Sequence, residues 1–296
     1  MVDGLALLIV HAHPDDESIC TGGTLARYAA EGIQTVLVCC TAGEGGAIKA
    51  SELDTPEVRS SLGAFREDEV RTAARLLGVG KVYLLGYHDS ALTGFRRNDN
   101  GQLVAVTKYD ADSRSFAYVD IEEAAERLAV IIRSTRPHVV VVYDEYGGYG
   151  HPDHIMAHHV TRLAVEYATS QGDGGRGWSV AKFYYPVVAT SLIIWVNEQM
   201  RTRGLAPPFR SDYPQFDILQ LVVPDSVITA RVDVRTFRKQ VQQALRAHRT
   251  QIIENSVFLS LPGDIDDVMY AEENYIRAFS RVSAPDHETD LFTGLR

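Results

Sequence analysis

The sequence predicts an α/β fold: a mostly parallel sheet flanked by helices, with a smaller α+β portion towards the C-terminus. Three observations predict it. Short apolar runs alternate with longer amphipathic ones, four times over, in the N-terminal part of the chain. The short runs are continuously apolar rather than alternating, as strands covered on both faces require. Two clusters of His and Asp, "HAHPDDES" (His11–Ser18) and "YDEYGGYGHPDH" (Tyr143–His154), each begin where one of those runs ends.

The elements follow in order. "LALLIVH" (Leu5–His11) reads as a buried strand, and "GGTLARYAAEG" (Gly22–Gly32) as a helix closed by Gly32. "IQTVLVCC" (Ile33–Cys40) is a second strand, on which Cys39 and Cys40 face opposite sides. "FREDEVRTAARLLGV" (Phe65–Val79) is a helix with Val70, Ala73, Ala74 and Leu77 on one face and its charges on the other. "KVYLLGY" (Lys81–Tyr87) is a third strand. The segment Ala91–Tyr118 is polar with little periodicity and reads as a long loop over a site. "VDIEEAAERLAVIIRSTRP" (Val119–Pro137) is a helix with Asp120 as N-cap, ended by Pro137. "HVVVVYD" (His138–Asp144) is the fourth strand and "HIMAHHVTRLAVEYA" (His154–Ala168) the helix after it. Repeated strand-then-helix units imply right-handed crossovers and a Rossmann-like sheet. Beyond residue 178 the pattern thins. "AKFYYPVV" (Ala181–Val188) and "VITARVDV" (Val227–Val234) read as strands, "RTFRKQVQQALRAH" (Arg235–His248) as a helix, and Pro207–Gln215 as a loop. Residues 1–175 then form a metal-binding catalytic core and residues 176–296 complete the substrate site, within one continuous domain.

Composition narrows the function. The chain has 296 residues, 45% of them hydrophobic, enough to bury a core without cross-links. A net charge of −10 argues against a nucleic-acid partner, which calls for clustered Lys and Arg. The three cysteines show no CxxC spacing and read as reduced thiols, so a cytoplasmic location is expected. No secretory signal pattern opens the chain. The apolar run Val187–Val196 falls well short of the roughly 20 residues of a membrane span. No membrane partner is expected, and assembly into a homo-oligomer is left open.

Ligands of open α/β sheets lie beyond the carboxyl ends of the strands, where both polar clusters fall. His13 with Asp15 or Asp16 comes from the first cluster, and His151 or His154 from the second. Two imidazoles and one carboxylate suit a catalytic zinc with one position open to water, and the spare carboxylate can serve as base. A single His-Pro-Asp also makes a good turn, but two of them at two strand ends argue for a site. Iron(II) uses the same donors and is the alternative metal. No G-x-S-x-G elbow is present, which disfavours a serine hydrolase. "TAGEGG" (Thr41–Gly46) follows the second strand, not the first as a dinucleotide fingerprint would, and reads as a flexible active-site loop. His158 and His159 read as helix surface, and Cys20 as inert packing at the start of a helix.

"HAHPDDE" near the N-terminus paired with "GHPDH" downstream resembles the LmbE-like, or PIG-L-type, zinc-dependent de-N-acetylases. "RPHVVVVYDEYGGYGHPDH" and the closing "ETDLFTGL" resemble the branch that acts in mycothiol metabolism, which holds a deacetylase of N-acetylglucosaminyl-inositol and an amidase of mycothiol conjugates. The resemblance implies His13, Asp16 and His154 as metal ligands and Asp15 as general base. It implies a catalytic role for His151, with Asp153 as its orienting partner, and has Tyr149 assist the tetrahedral intermediate. It matches Arg66 and Asp89 to sugar-contacting positions, and Glu44 adds a further hydrogen-bonding group. The implied reaction is hydrolysis of the acetamide of an N-acetylglucosamine-type glycoside to acetate and a free amino sugar. Amide cleavage of thiol conjugates is the alternative, and a metal-binding module without turnover the alternative of another class. A small Cys20 favours the deacetylase, whereas "DSAL" and "SELDTPEVR" lean towards the amidase.

Overall fold

A computed structural model of the chain describes residues 4–97, 103–108, 114–170, 177–209 and 222–296. The expected α/β architecture is present. Strands β1 (Ala6–His11), β2 (Gln34–Thr41), β3 (Lys81–Tyr87), β6 (Val139–Val141) and β7 (Lys182–Ala189) run parallel in one sheet. Its order is β3-β2-β1-β6-β7-β10-β9, with β10 (Glu272–Ser280) antiparallel to β7 and β9 (Ala230–Asp233) antiparallel to β10. A short β8 (Val222–Val223) pairs with β7. The sheet therefore runs unbroken across residue 175, and its C-terminal strands extend it.

Strand alternation divides the core in two. Leu8, Val10, Val36, Val38, Cys40, Val140 and Val142 face helices α5 (Ile121–Thr135) and α7 (Pro152–Thr169). Leu7, Ile9, Val139 and Val141 face α2 (Gly22–Ala30) and α9 (Arg238–Ala247) on the other side. Leu37 and Cys39 meet Val70 and Ala74 of α4 (Leu62–Leu76), so Cys39 and Cys40 do face opposite layers. Every residue of β1 is buried, which explains its unbroken apolar run. Each fully buried Leu, Ile or Val there contributes about 1.5–3 kcal/mol. β3 differs from expectation, because it is the sheet edge and is mostly half-buried.

Local signals behave as the residues dictate. Asp120 caps α5 by accepting the N–H groups of Glu122 and Glu123, at 2.8 and 3.1 Å. Arg136 closes that helix in the left-handed region at φ 50°, just before Pro137. Gly32 follows α2 with φ 80°.

Several elements depart from the sequence reading. The segment Ala91–Tyr118 is not simply a loop: β4 (Leu92–Arg97) and β5 (Leu103–Thr107) form an antiparallel hairpin. Part of that segment lies outside the described residues, as does most of the loop expected at Pro207–Gln215. Cys20 ends the short helix α1 (Asp16–Cys20) rather than starting one. Further helices are α3 (Pro56–Ser60), α6 (Gly147–Gly150), α8 (Thr190–Thr202), α10 (Val257–Ser260) and α11 (Gly263–Met269). β10 gives little sequence signal, because Glu272, Glu273 and Arg277 interrupt its apolar residues.

Candidate metal centre and active site

The chain runs from β1 through β2 to β3 on one side of β1, then returns to place β6 on the other. Loops leaving β1 and β6 therefore diverge and open a crevice at the carboxyl ends of the strands. Leu7, Leu8 and Ile9 pair with Val139, Val140 and Val141, so both polar clusters emerge side by side.

"HPDH" spells a helix start. His151 is the N-cap of α7, its Nδ1 accepting the Asp153 N–H at 3.1 Å, and Pro152 takes the first helical position. His154 then lies one turn along, on the side of His151. Its Nδ1–H donates to the Gly147 carbonyl at 3.2 Å, which leaves Nε2 as a bare lone pair. Gly147 permits this approach, since a Cβ there would lie 2.8 Å from His154 Cβ and 2.7 Å from the Ile155 nitrogen.

Across the crevice, Asp16 Oδ2 lies 3.5 Å from His154 Nε2 and 3.5 Å from His13 Nδ1. These three groups could hold one metal ion. His154 Nε2 is buried and has no hydrogen-bond partner among the described residues, a costly arrangement unless a cation completes it. Burial pushes the His154 imidazole down to about 4 despite Asp16, so the ring is neutral, as a ligand must be. Burial works to raise the Asp16 carboxyl, but His154 and His13 hold it well below the usual range. Burial also works to lower His13, but Asp89, Asp153 and Asp16 raise it well above the usual value, so an ion bound at its Nδ1 would displace a proton from the ring. The donor set fits a hard or borderline divalent cation.

A second group, His13, Asp89, His151 and Asp153, is also close enough to hold an ion. It fits less well, because its acids are already engaged. Asp153 accepts from Ser90 N at 2.9 Å, from Ser90 Oγ, and from His13 Nε2 at 3.1 Å. Asp89 Oδ1 accepts from Ala91 N at 2.7 Å.

The expected pairing of Asp153 with His151 is therefore not what the side chains do. The Asp153 carboxylate orients His13, and its backbone N–H, not its side chain, meets His151. The helix explains this: at the second position of α7 the Asp153 side chain turns away from the cap and towards β1. His13 Nε2–H thus faces Asp153 and Nδ1 faces the ion site, a carboxylate–histidine–metal arrangement. His151 accepts at Nδ1, so its neutral ring carries its proton on Nε2. Burial, with His13 and His154 nearby, keeps it well below the usual imidazole range.

Asp15 points elsewhere. Its backbone has φ 99°, rare for a residue with a Cβ, and this turns its carboxylate from the direction of Asp16 towards Arg66, at 3.3 Å. Burial, opposed by Arg66 and aided by Asp16, pushes the Asp15 carboxyl up to about 6.

Arg66 is 3% exposed, and its guanidinium bonds the carbonyls of Pro14 and Gly43. It braces the loops after β1 and β2 rather than standing open to a ligand. Gly43, at φ 68°, leaves room for it, since a Cβ would sit 2.2 Å from Nη1. Glu44 Oε1 accepts from Asp89 N at 3.2 Å and contacts His88 at 2.8 Å, while its buried Oε2 has no partner among the described residues. Asp89 is buried, with Oδ1 3.7 Å from His13 Nε2. Tyr149 packs edge-on to His154 at 5.1 Å and His151 at 5.9 Å, and Phe95 of the hairpin packs against it at 6.4 Å.

Sequence reading missed three groups. Tyr143 donates to Asp16 Oδ2 at 2.6 Å and stacks on His154 at 4.0 Å. Its place at the head of the second cluster was the available signal. His158 is buried, not surface, and bonds the Tyr143 carbonyl at 2.9 Å. Its spacing of four from His154 already put it on the inward face. His248, from the far end of the chain, bonds Glu17 at 2.6 Å, and no local pattern marks it.

Comparison with known proteins now bears on the site. The family described as "PIG-L: GlcNAc-PI de-N-acetylase" matches residues 8–165, just over half of the chain. A protein of Geodermatophilus obscurus, named 1D-myo-inositol 2-acetamido-2-deoxy-alpha-D-glucopyranoside deacetylase, is 39% identical over 306 residues, covering 100% of this chain and 99% of its own. Among solved structures, N,N'-diacetylchitobiose deacetylase from Pyrococcus horikoshii aligns with a TM-score of 0.58 at 19% identity, over 93% of this chain and 84% of that one. The 4-carboxy-2-hydroxymuconate hydratase of Pseudomonas putida KT2440 aligns with 0.57 at 16%, over 95% and 99%. The structural likenesses speak for the fold alone, and that fold serves two different reactions. The sequence relationship goes further: this chain belongs to the PIG-L, or GlcNAc-PI de-N-acetylase, family.

Proposed function

We propose that this protein is a metal-dependent deacetylase that hydrolyses the acetamide of an N-acetylglucosamine-type glycoside. Its substrate is a small soluble glycoside and its setting the cytoplasm. The observation that carries the reading is the bare, buried Nε2 of His154 facing Asp16 and His13. The relatives' printed substrate, an inositol glycoside of N-acetylglucosamine, supplies the class. Full-length similarity to a deacetylase favours this over a conjugate amidase.

In this reading His13, Asp16 and His154 hold the metal, zinc first and iron(II) second. When bound, the ion supplies Lewis acidity and a water of lowered pKa. Asp15 takes the proton of the attacking water, and a carboxyl near 6 is suited to that task near neutrality. His151 donates from Nε2 to the oxyanion as the amide carbon becomes tetrahedral, and Tyr149 lines the same space. Asp15 returns its proton to the nitrogen as the C–N bond breaks. One water is consumed, and acetate and the amino sugar leave. Asp153 keeps His13 in register, and Asp89 and Glu44 stand where sugar hydroxyls would meet them. Arg66, in the same substrate-binding group, acts by bracing the loop that carries Asp15.

The two adjacent aspartates provide the test. Asp15→Asn should retain near-unit metal by elemental analysis and lose about 10²- to 10⁴-fold in turnover of an N-acetylglucosaminyl glycoside. Asp16→Asn should lose the metal itself. Metal loss in Asp15→Asn with retention in Asp16→Asn would reverse the two roles. A faster rate on a thiol-conjugate amide than on the glycoside would replace the deacetylase reading by the amidase one.

A further inference from the structure

Asp15 is held in a conformation that L-residues avoid, with φ 99° and ψ −33°. Such a residue costs about 1–3 kcal/mol and persists only where its surroundings over-determine it. One restraint is Arg66, which bonds the Pro14 carbonyl and the Asp15 carboxylate. The other is Glu17, whose Oε2 accepts the Asp15 N–H at 2.9 Å. Glu17 is wholly buried, so it must itself be held. Its Oε1 receives Ser18 Oγ at 2.5 Å and His248 Nε2 at 2.6 Å.

His248 is fully buried at the end of α9, outside the stretch matched by the family. It is fixed in turn. Two residues on, Thr250 bonds Glu69 of α4 through its N–H at 2.9 Å and its hydroxyl at 2.7 Å. A line of hydrogen bonds and chain therefore runs from α4 through Thr250, His248 and Glu17 to the backbone of Asp15. The side-chain hydrogen bonds of His248 go from Nε2 to Glu17 and Ser18, its Nδ1 has no partner among the described residues, and none reaches His13, Asp16 or His154.

We infer that His248, acting through Glu17, is a positioning residue for Asp15: it fixes the backbone that aims the carboxylate. This rests on reading Asp15 as the general base. A buried ion pair that only filled the core would affect stability and leave turnover per folded molecule unchanged. A positioning pair affects turnover without affecting metal content, since misplacing a catalytic group by about 1 Å can cost about 100-fold.

Two polar variants separate the readings. In His248→Gln the amide nitrogen falls near the place of the imidazole Nε2 and can reach Glu17. In His248→Asn it falls near Nδ1 and cannot. Both should bind one metal per chain and keep KM within about threefold. The kcat of His248→Asn for an N-acetylglucosaminyl glycoside should fall by about 10- to 100-fold, while His248→Gln stays within about threefold of wild type. In an Asp15→Asn background the two should differ from their parent by less than about twofold, since the group they position is gone. Equal turnover in His248→Asn and His248→Gln, whether both normal or both impaired, overturns the inference, as does an undiminished loss in the Asp15→Asn background. Wild-type turnover in Asp15→Asn alone would instead remove the base assignment on which the inference stands.

Discussion

Replacing Tyr143 by Phe should weaken metal binding while leaving all three ligand side chains in place. The phenol oxygen lies 2.6 Å from Asp16 Oδ2, 3.0 Å from His11 Nδ1 and 3.0 Å from the Ala12 nitrogen. Phe retains the ring that stacks on His154 and removes only the hydroxyl. Asp16 then loses a charge-assisted hydrogen bond, worth about 1.5–3 kcal/mol. The hydroxyl also withdraws charge from the carboxylate, so its removal makes Asp16 a slightly better donor. Orientation outweighs this, because Asp16 must face His13 and His154 together, at 3.5 Å from each. Loss of an outer partner typically costs about 10- to 100-fold in metal affinity, or about 1.4–2.7 kcal/mol, which agrees with the hydrogen-bond figure. Competition against a chelator of known zinc affinity measures it. The Ala12 N–H also loses its acceptor, so the metal-free melting temperature should drop by a few degrees, roughly 2–4 °C per kcal/mol. An affinity within threefold of wild type, in a variant that folds, would refute the reasoning.

Two further predictions concern stability. Asp120→Ala removes the cap of α5 and should cost about 1 kcal/mol, lowering the melting temperature by about 2 °C with activity unchanged. Asp290 lies near the C-terminus and accepts from Tyr28 Oη at 2.9 Å, Phe292 N at 3.0 Å and Arg296 Nε at 2.8 Å. Burial works to raise its carboxyl, but these donors hold it below the usual carboxylate range. A depressed folded value means its stabilisation is fully present above the unfolded value of about 3.9 and is lost as pH falls through the folded value. Asp290→Asn should therefore lower the melting temperature at pH 7, with the gap to wild type closing as pH drops below about 4. A gap constant from pH 7 to pH 3 would contradict the assignment.

The sequence by itself determined the elements and the faces they bury. The unbroken apolar run Leu5–Val10 is legible as a strand covered on both sides, and the α5 pattern as a helix with a capped start. Periods of 2.0 and 3.6 are local properties, readable within a dozen residues. Both polar clusters were legible for the same reason, each being a strand end followed by a helix start. Assigning roles within them drew on the family resemblance, which spacing alone could not replace. Only the tertiary structure decided which groups meet. It put β6 beside β1, so that His154 faces Asp16 and the phenol of Tyr143 closes on the same carboxylate. It turned Asp153 to His13 instead of His151, and brought His248 behind Glu17 from 231 residues away. It also folded the polar stretch after β3 into a hairpin that carries Phe95 to Tyr149. The physical reason is that a side chain's hydrogen-bond partner is chosen by strand order and crossing helices, and neither leaves a periodic trace near the residue it serves.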